Sequence, residues 1–284
     1  MRQIGPKLLN RLTVGQLNPL LEYIKSDKQL RLEVRQNKDA FVYYRKGKVL
    51  EIKKLKVDKK YGNVPDTELA VSNPKEYFDL IKQSVDKWLE SNKNRAEFDT
   101  QQNIAINNQD KNDKYIILDM EYAFEQNRID KIKRVKRGIF DLLGIERVTN
   151  TIVFFEVKKG MGATKGKSGI DEHICDFNNY LSGKNANVFR GNLIQDIKNI
   201  IADKTKLGIL DNFSYSDAFE KNDPELVFVF HPETDDQIKE FTDELKGRHK
   251  LIIVSDNNYK LNENNTLPVI DLQLKKRANP TDNI

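Results

Sequence analysis

Cysteine is almost missing from this 284-residue chain. Cys175 alone can form neither an intrachain disulfide nor a cysteine-based zinc cluster, and a reducing compartment is the expectation. Long apolar runs are missing too: nowhere do eighteen apolar residues follow one another, and no apolar stretch precedes Pro6. Neither membrane spanning nor secretion is therefore expected, and the expected location is cytoplasmic. Charge of one sign is scarce as well, since 48 Lys and Arg against 43 Asp and Glu leave only +5. Bulk charge of that size excludes a histone-like polyanion binder and says little else about partners. Cys175 falls on what reads as the apolar side of a short helix and is expected to be a buried, unreactive thiol.

What the chain does have is short apolar runs at regular intervals, which exclude wholesale disorder despite a charged fraction of 32%. Its length suggests one large domain and an appendage. Residues 1–26 read as two short helices, broken at Gly15 and restarted at Asn18-Pro19. Period-2 segments near Leu30–Arg35, Phe41–Arg45 and Val49–Val57 read as a small antiparallel meander, joined by Asn37-Lys38-Asp39 and Lys46-Gly47-Lys48. A polar stretch from Asp58 to Val71 marks a boundary, giving an N-terminal region of residues 1–70 and a main domain of residues 71–284. Asn73-Pro74-Lys75-Glu76 then opens a helix whose buried stripe is Phe78, Ile81, Val85, Trp88 and Leu89. Strands follow over Tyr115–Phe124, Ile139–Ile145 and Thr151–Val157, helices over Ile170–Leu181 and Leu193–Lys204, and strands Leu226–Phe230 and Leu251–Val254 around a last helix. That order predicts an α/β fold with a mixed central sheet flanked by helices, beside a small N-terminal α+β meander region.

Chemistry is concentrated in two of these strands. In Ile152-Val153-Phe154-Phe155-Glu156-Val157-Lys158 nearly every residue is apolar, yet Glu156 and Lys158 interrupt the run two residues apart and so share a face. Burying such charges without partners costs several kcal/mol, so the strand is expected to deliver them to a wet or metal-filled cleft. Asp141 stands in the same way between Phe140 and Leu142, and a connection through Gly144 to Asn150 makes it a cross-strand neighbour of Glu156. Two carboxylates so placed can share one hard cation. The competing reading is a buried salt bridge of Lys158 with either acid.

Asp141 followed after fourteen residues by Glu156-Val157-Lys158 resembles the D…(D/E)-x-K signature of the PD-(D/E)XK phosphodiesterases, the superfamily of restriction-endonuclease-like folds. The family's usual proline before the aspartate is replaced by Phe140. The resemblance covers about residues 73–255 and implies a helix, three antiparallel strands, a helix and a strand. It implies hydrolysis of phosphodiester bonds in DNA, with RNA as the other polyanion the pattern admits, and with Mg²⁺ or Mn²⁺ as cofactor. Asp141 and Glu156 would hold the ion, the Val157 carbonyl would add an oxygen, and Lys158 would orient the water or offset charge in the transition state. Members of the superfamily supply a further acid from the first helix or strand; Glu121 is the preferred candidate, with Asp119 and Glu97 behind it. Asp119 and Glu121 are expected on one strand face, with Leu118, Met120 and Tyr122 on the other. Many such enzymes are homodimers.

Basic segments flank both strands. Arg134, Lys136 and Arg137 lead into the Asp141 strand, and Lys159, Lys165 and Lys167 leave the Glu156 strand, where cations would neutralise nucleic-acid phosphates. The second segment is no Walker A loop, because Gly162 to Gly166 spans one residue too few. His173 and Asp176 share a helix face and are expected to be solvated or capping, while His231 and His249 read as ordinary strand-end residues. Two other classes of function stay open at this point: a catalytically silent nuclease-like domain that binds nucleic acid or protein, and a structural α/β protein whose three charges form core salt bridges.

Overall fold

Prolines set the first two helices: Pro6 opens α1 (Pro6–Thr13) and Pro19 falls in the first turn of α2 (Asn18–Ser26), where a missing N–H costs nothing. The computed structural model describes residues 1–92, 97–123, 139–166, 169–183, 185–211 and 218–267. Three antiparallel strands follow, β1 (Arg31–Arg35), β2 (Asp39–Tyr44) and β3 (Gly47–Glu51), in that spatial order. A short α3 (Leu69–Ser72) leads to α4 (Pro74–Glu90), where the Asn73 side chain accepts from the Glu76 amide and caps the helix as its sequence predicts. Its buried residues are Tyr77, Phe78, Ile81, Val85 and Leu89, with Trp88 only partly covered.

Then come α5 (Glu97–Asn107) and the large sheet: β4 (Tyr115–Ala123), β5 (Ile139–Glu146), β6 (Thr151–Lys159), β7 (Glu225–His231), β8 (Lys250–Ile253) and β9 (Thr266–Leu267). These six lie in sequence order. The β4–β5 and β5–β6 pairs are antiparallel, β6–β7 and β7–β8 parallel, and β8–β9 antiparallel. The crossovers that make β6 and β7 parallel are α6 (Ile170–Ser182), α7 (Ala186–Lys206) and the short α8 (Ala218–Lys221), and α9 (Asp236–Leu245) joins β7 to β8.

Alternation along the strands divides the core in two. Leu118, Tyr122, Phe140 and Phe154 join Phe177 and Tyr180 of α6, Leu193 of α7 and Phe241 of α9. Met120, Leu142, Phe155 and Val157 join Ile104 and Ala105 of α5 and Tyr43 of β2. The fold is thus mixed α/β, with helices on both faces of the sheet and a separate three-stranded sheet. Fully buried phenylalanines such as Phe154 and Phe228 contribute about 1.5–3 kcal/mol each. One apolar cluster runs from Leu8 through Val34 and Ile81 to Phe154 and Leu251, so residues 1–70 share a core with the large sheet. Among the described residues no helix is long and apolar enough to cross a membrane.

Two local expectations change. Gly144 lies inside β5 rather than in the hairpin connection, and its lack of a side chain serves the close approach of β4, since a Cβ would stand 2.6 Å from the Ile116 carbonyl oxygen; the turn is made by residues 147–150, with Asn150 left-handed. Cys175 is exposed, since α6 buries the stripe through Ile170, Phe177 and Tyr180 and turns residue 175 away from it.

Candidate active site

Leu142 pairs with Phe155 and Leu143 with Phe154, and Asp141 and Glu156 are the next residues of their strands beyond this last ladder pair. Phe154 faces α6, so period-2 alternation sends Glu156 and Lys158 to the same side, beneath that helix. There His173 of α6 meets them. Lys158 Nζ lies 2.7 Å from Glu156 Oε1, His173 Nε2 lies 2.9 Å from the same oxygen, and the two nitrogens are 3.4 Å apart. Asp141 Oδ2 accepts from the Val157 amide at 3.0 Å. Lys158 and Glu156 are thus a direct pair, and the Asp141 charge acts on both.

His173 is not the solvated or capping residue expected; its side chain is only 16% exposed, and it donates to or pairs with Glu156. Glu156 and Lys158 do not line an open cleft, each side chain being 3% exposed. Access improves toward β4, where the Asp141 side chain is 16% and that of Glu121 43% exposed.

Burial and charge pull these groups in different directions. Burial, and then the neighbouring Asp141 charge, push the Glu156 carboxyl above its ordinary range, outweighing His173 and Lys158. Burial would also raise Asp141, but Lys46, Lys158 and the Val157 amide overcome it and hold that carboxyl low. Burial would lower Lys158, yet Glu156 and Asp141 more than compensate, so its ammonium is stabilised. His173 is raised for the same reason, with the Glu156 hydrogen bond and charge outweighing burial.

The preferred extra acid behaves differently from its neighbour on β4. The register of β4 against β5 shifts between Ile117 and Asp119, and Glu121 takes a left-handed φ of 54°, so regular alternation fails. Leu118 and Tyr122 consequently face one core cluster and Met120 the other, instead of sharing a face. Asp119 is buried between Arg35 and Arg2, with Arg2 Nε 3.2 Å from its Oδ2. Glu121 instead turns toward the site, its Oε1 3.6 Å from Lys46 Nζ. Glu97, at the start of α5, accepts from the Lys159 amide, and burial lifts its pKa with Lys158, Asp141 and Glu156 all acting on it. Lys46 was not expected here at all: it comes from the β2–β3 turn and reaches Asp141 Oδ1 at 3.4 Å.

Of the basic candidates, Lys159 lines a 620 Å³ cavity with Arg45, Asp99 and Tyr259, and Lys165 pairs with Glu244 of α9 at 3.1 Å. Arg134, Lys136, Arg137 and Lys167 lie outside the described residues. His231 is buried at the end of β7 with Nδ1 3.0 Å from the Thr100 hydroxyl, and the His249 ring packs on Phe177 and Phe228.

Among the described residues no group of three or more His, Cys, Asp and Glu side chains is arranged to hold a metal. Mg²⁺, however, is commonly held by one or two carboxylates, with water and substrate oxygens filling the other positions. Glu156 Oε2 fits that need, being buried with no hydrogen-bond partner while its twin Oε1 takes both cations. An orphaned carboxylate oxygen beside a second carboxylate is a donor set for a hard cation. Scans of family models, curated proteins and solved structures each return no match to this chain.

Proposed function

We propose that this chain is a Mg²⁺-dependent nuclease of the PD-(D/E)XK type that hydrolyses phosphodiester bonds in DNA, in the manner of a restriction or defence endonuclease. The observation that carries the reading is the meeting of Asp141 and Glu156 on adjacent strands with one Glu156 oxygen left unpartnered. The order of elements supports it: a helix, three antiparallel strands, crossover helices and a parallel strand, α5 through β7. Asp141 and Glu156 would hold the ion, with the Val157 carbonyl as a further oxygen. Bound there, Mg²⁺ supplies polarisation of the scissile phosphate and a more acidic water.

The chain's own groups take the other parts. Lys158, kept protonated by Glu156 and Asp141, suits offsetting negative charge on the phosphate better than removing a proton. His173 fixes Glu156 by a 2.9 Å contact and so positions the strand acid. Glu97 and Glu121 are the additional acids at the rim of the centre.

The pairing of Lys158 with Glu156 also favours a second reading, a nuclease-like domain that binds nucleic acid or a protein without cutting, in which the charges close on one another. Incubation of plasmid and single-stranded DNA with Mg²⁺, Mn²⁺ or EDTA separates the two. Metal-dependent cleavage by the parent is expected, lost in Glu156→Gln and reduced about 10²–10³-fold in Lys158→Met, with both variants folded by circular dichroism. DNA binding without cleavage selects the silent domain, and cleavage that survives both substitutions moves the activity elsewhere.

A further inference from the structure

Lys46 is held in a way that a surface turn residue does not need. The turn between β2 and β3 has two residues, Arg45 and Lys46, with Tyr44 paired to Gly47, and both adopt left-handed φ, 47° and 57°. Such turns favour Asn and Gly, so two long cationic side chains here sit against local preference. The next residue is glycine because a Cβ would come within 2.6 Å of the Tyr61 hydroxyl. Contacts from α4 and α5 fix the turn: Arg45 spans Asp99 at 2.6 and 2.7 Å and Asp86 at 2.8 Å, and the Lys46 amide donates to Gln102 Oε1 at 2.6 Å.

So fixed, the Lys46 side chain is 8% exposed and runs over the Phe98 ring, 4.8 Å from its centroid, to end between Asp141 and Glu121. The distances there are the telling feature. Lys158 and Lys204 close on their glutamates at 2.7 and 2.6 Å, the normal length of a charge-assisted bond. Lys46 bonds Asp141 Oδ1 only at 3.4 Å and stands 3.6 Å from Glu121 Oε1. An ammonium that is buried, aimed and yet loosely engaged has donors free for an incoming anion. A phosphate entering beside Asp141, Glu156, Glu121 and Glu97 needs a second cation besides Lys158, whose ammonium is shared with Glu156.

We propose that Lys46 is a substrate-contacting residue of this centre, donating to a non-bridging oxygen of a nucleic-acid phosphate, so that the N-terminal meander supplies part of the site. The proposal rests on the nuclease reading but is tested apart from it. Fluorescence anisotropy of a labelled DNA duplex, with Ca²⁺ in place of Mg²⁺ and across a salt series, compares the parent, Lys46→Met, Lys46→Arg and, as a distant control, Lys75→Met. Lys46→Met is expected to weaken binding at least about tenfold and to reduce the slope of log K against log salt by about one. Lys46→Arg should keep most of the affinity and Lys75→Met all of it. In Mg²⁺, cleavage should fall with Lys46→Met as well.

Binding by Lys46→Met equal to that of the parent overturns the proposal, as does a parent that binds no DNA. A parent that binds DNA yet never cuts it defeats the nuclease reading alone, and the anisotropy series still decides the Lys46 contact. Should Lys46→Met lose its fold, Lys46→Gln combined with Glu121→Gln removes the charge together with an acid it offsets and is judged by the same slope against Glu121→Gln.

Discussion

Two buried clusters of charge touch the same strand, β4, and they are built on opposite plans. The first joins the N-terminal region to the sheet: Arg31 pairs with Glu33, Lys204 with Glu33 at 2.6 Å, and Arg35 and Arg2 with Asp119. Its cations also reach main-chain oxygens, Arg31 on Ala105 and Ile117, Arg35 on Met120 and Lys204 on Leu118. The second is the Asp141–Glu156–Lys158–His173 centre with Lys46. It leaves Glu156 Oε2 without a hydrogen bond and Lys46 on a long 3.4 Å bond to Asp141, and has a left-handed residue at each edge, Glu121 and Lys46. In the first cluster Arg2 Nε and Asp119 Oδ2 lack a hydrogen bond but face each other in an ion pair 3.2 Å long; opposite charges paired in that way secure a fold, whereas incomplete pairing beside backbone strain leaves room for a ligand.

If that contrast is right, the largest effect on stability belongs to the first cluster. Asp119→Ala strands two buried guanidinium groups and should cost about 3–5 kcal/mol in urea unfolding. Glu156→Gln also takes a partner from the buried Lys158, but it keeps the side chain's shape and removes a charge that repels Asp141, and should cost less, about 1–3 kcal/mol. The reverse ranking would erase the distinction between scaffold and site.

One group of each cluster, Asp119 and His173, should also fail on opposite limbs of a pH titration. Burial opposes ionisation of Asp119, but Arg2 and Arg35 outweigh it and hold its pKa below the ordinary value. Its stabilisation is therefore present above the unfolded pKa near 3.8 and lost as pH falls through the lower folded value. His173 is raised above 6.5, so its contribution is complete below that pH and disappears as pH rises through the folded value. Thermal melts across pH should show Asp119→Asn flattening the acid limb and His173→Gln the limb that lies above the ordinary histidine pKa of 6.5. A single shared limb would mean that the clusters are not electrostatically distinct. The smallest effect is on turnover by His173→Gln, about 10–100-fold below the parent with the fold intact; unchanged turnover would reduce His173 to packing.

The same contrast explains what the sequence discloses. Asp141, Glu156 and Lys158 stand out because each interrupts an apolar strand, and strand periodicity gives their shared face without long-range information. Glu121 and Asp119 defeat that logic, since a register shift and a left-handed residue break the alternation between them. Helix α5 was hidden because the positions it buries include Thr100, Gln101 and Gln102, so no apolar stripe announces it. Lys46 lies 95 residues from Asp141 in a turn whose Lys-Gly-Lys reads as solvated; only the left-handed pair before Gly47 hints at purpose, and φ is not written in sequence. His173 reads as solvated because a lone histidine on a polar helix face carries no mark of the glutamate it meets across space.

The central claim is that carboxylates from β5 and β6 take up one divalent ion. Isothermal titration of the metal-free protein with Mn²⁺ tests it directly, without DNA or turnover. One ion per chain should bind to the parent, with binding lost in Glu156→Gln and in Asp141→Asn and retained in Asp119→Asn. Mn²⁺ binding that is absent from the parent, or that persists in both site variants, would contradict the account.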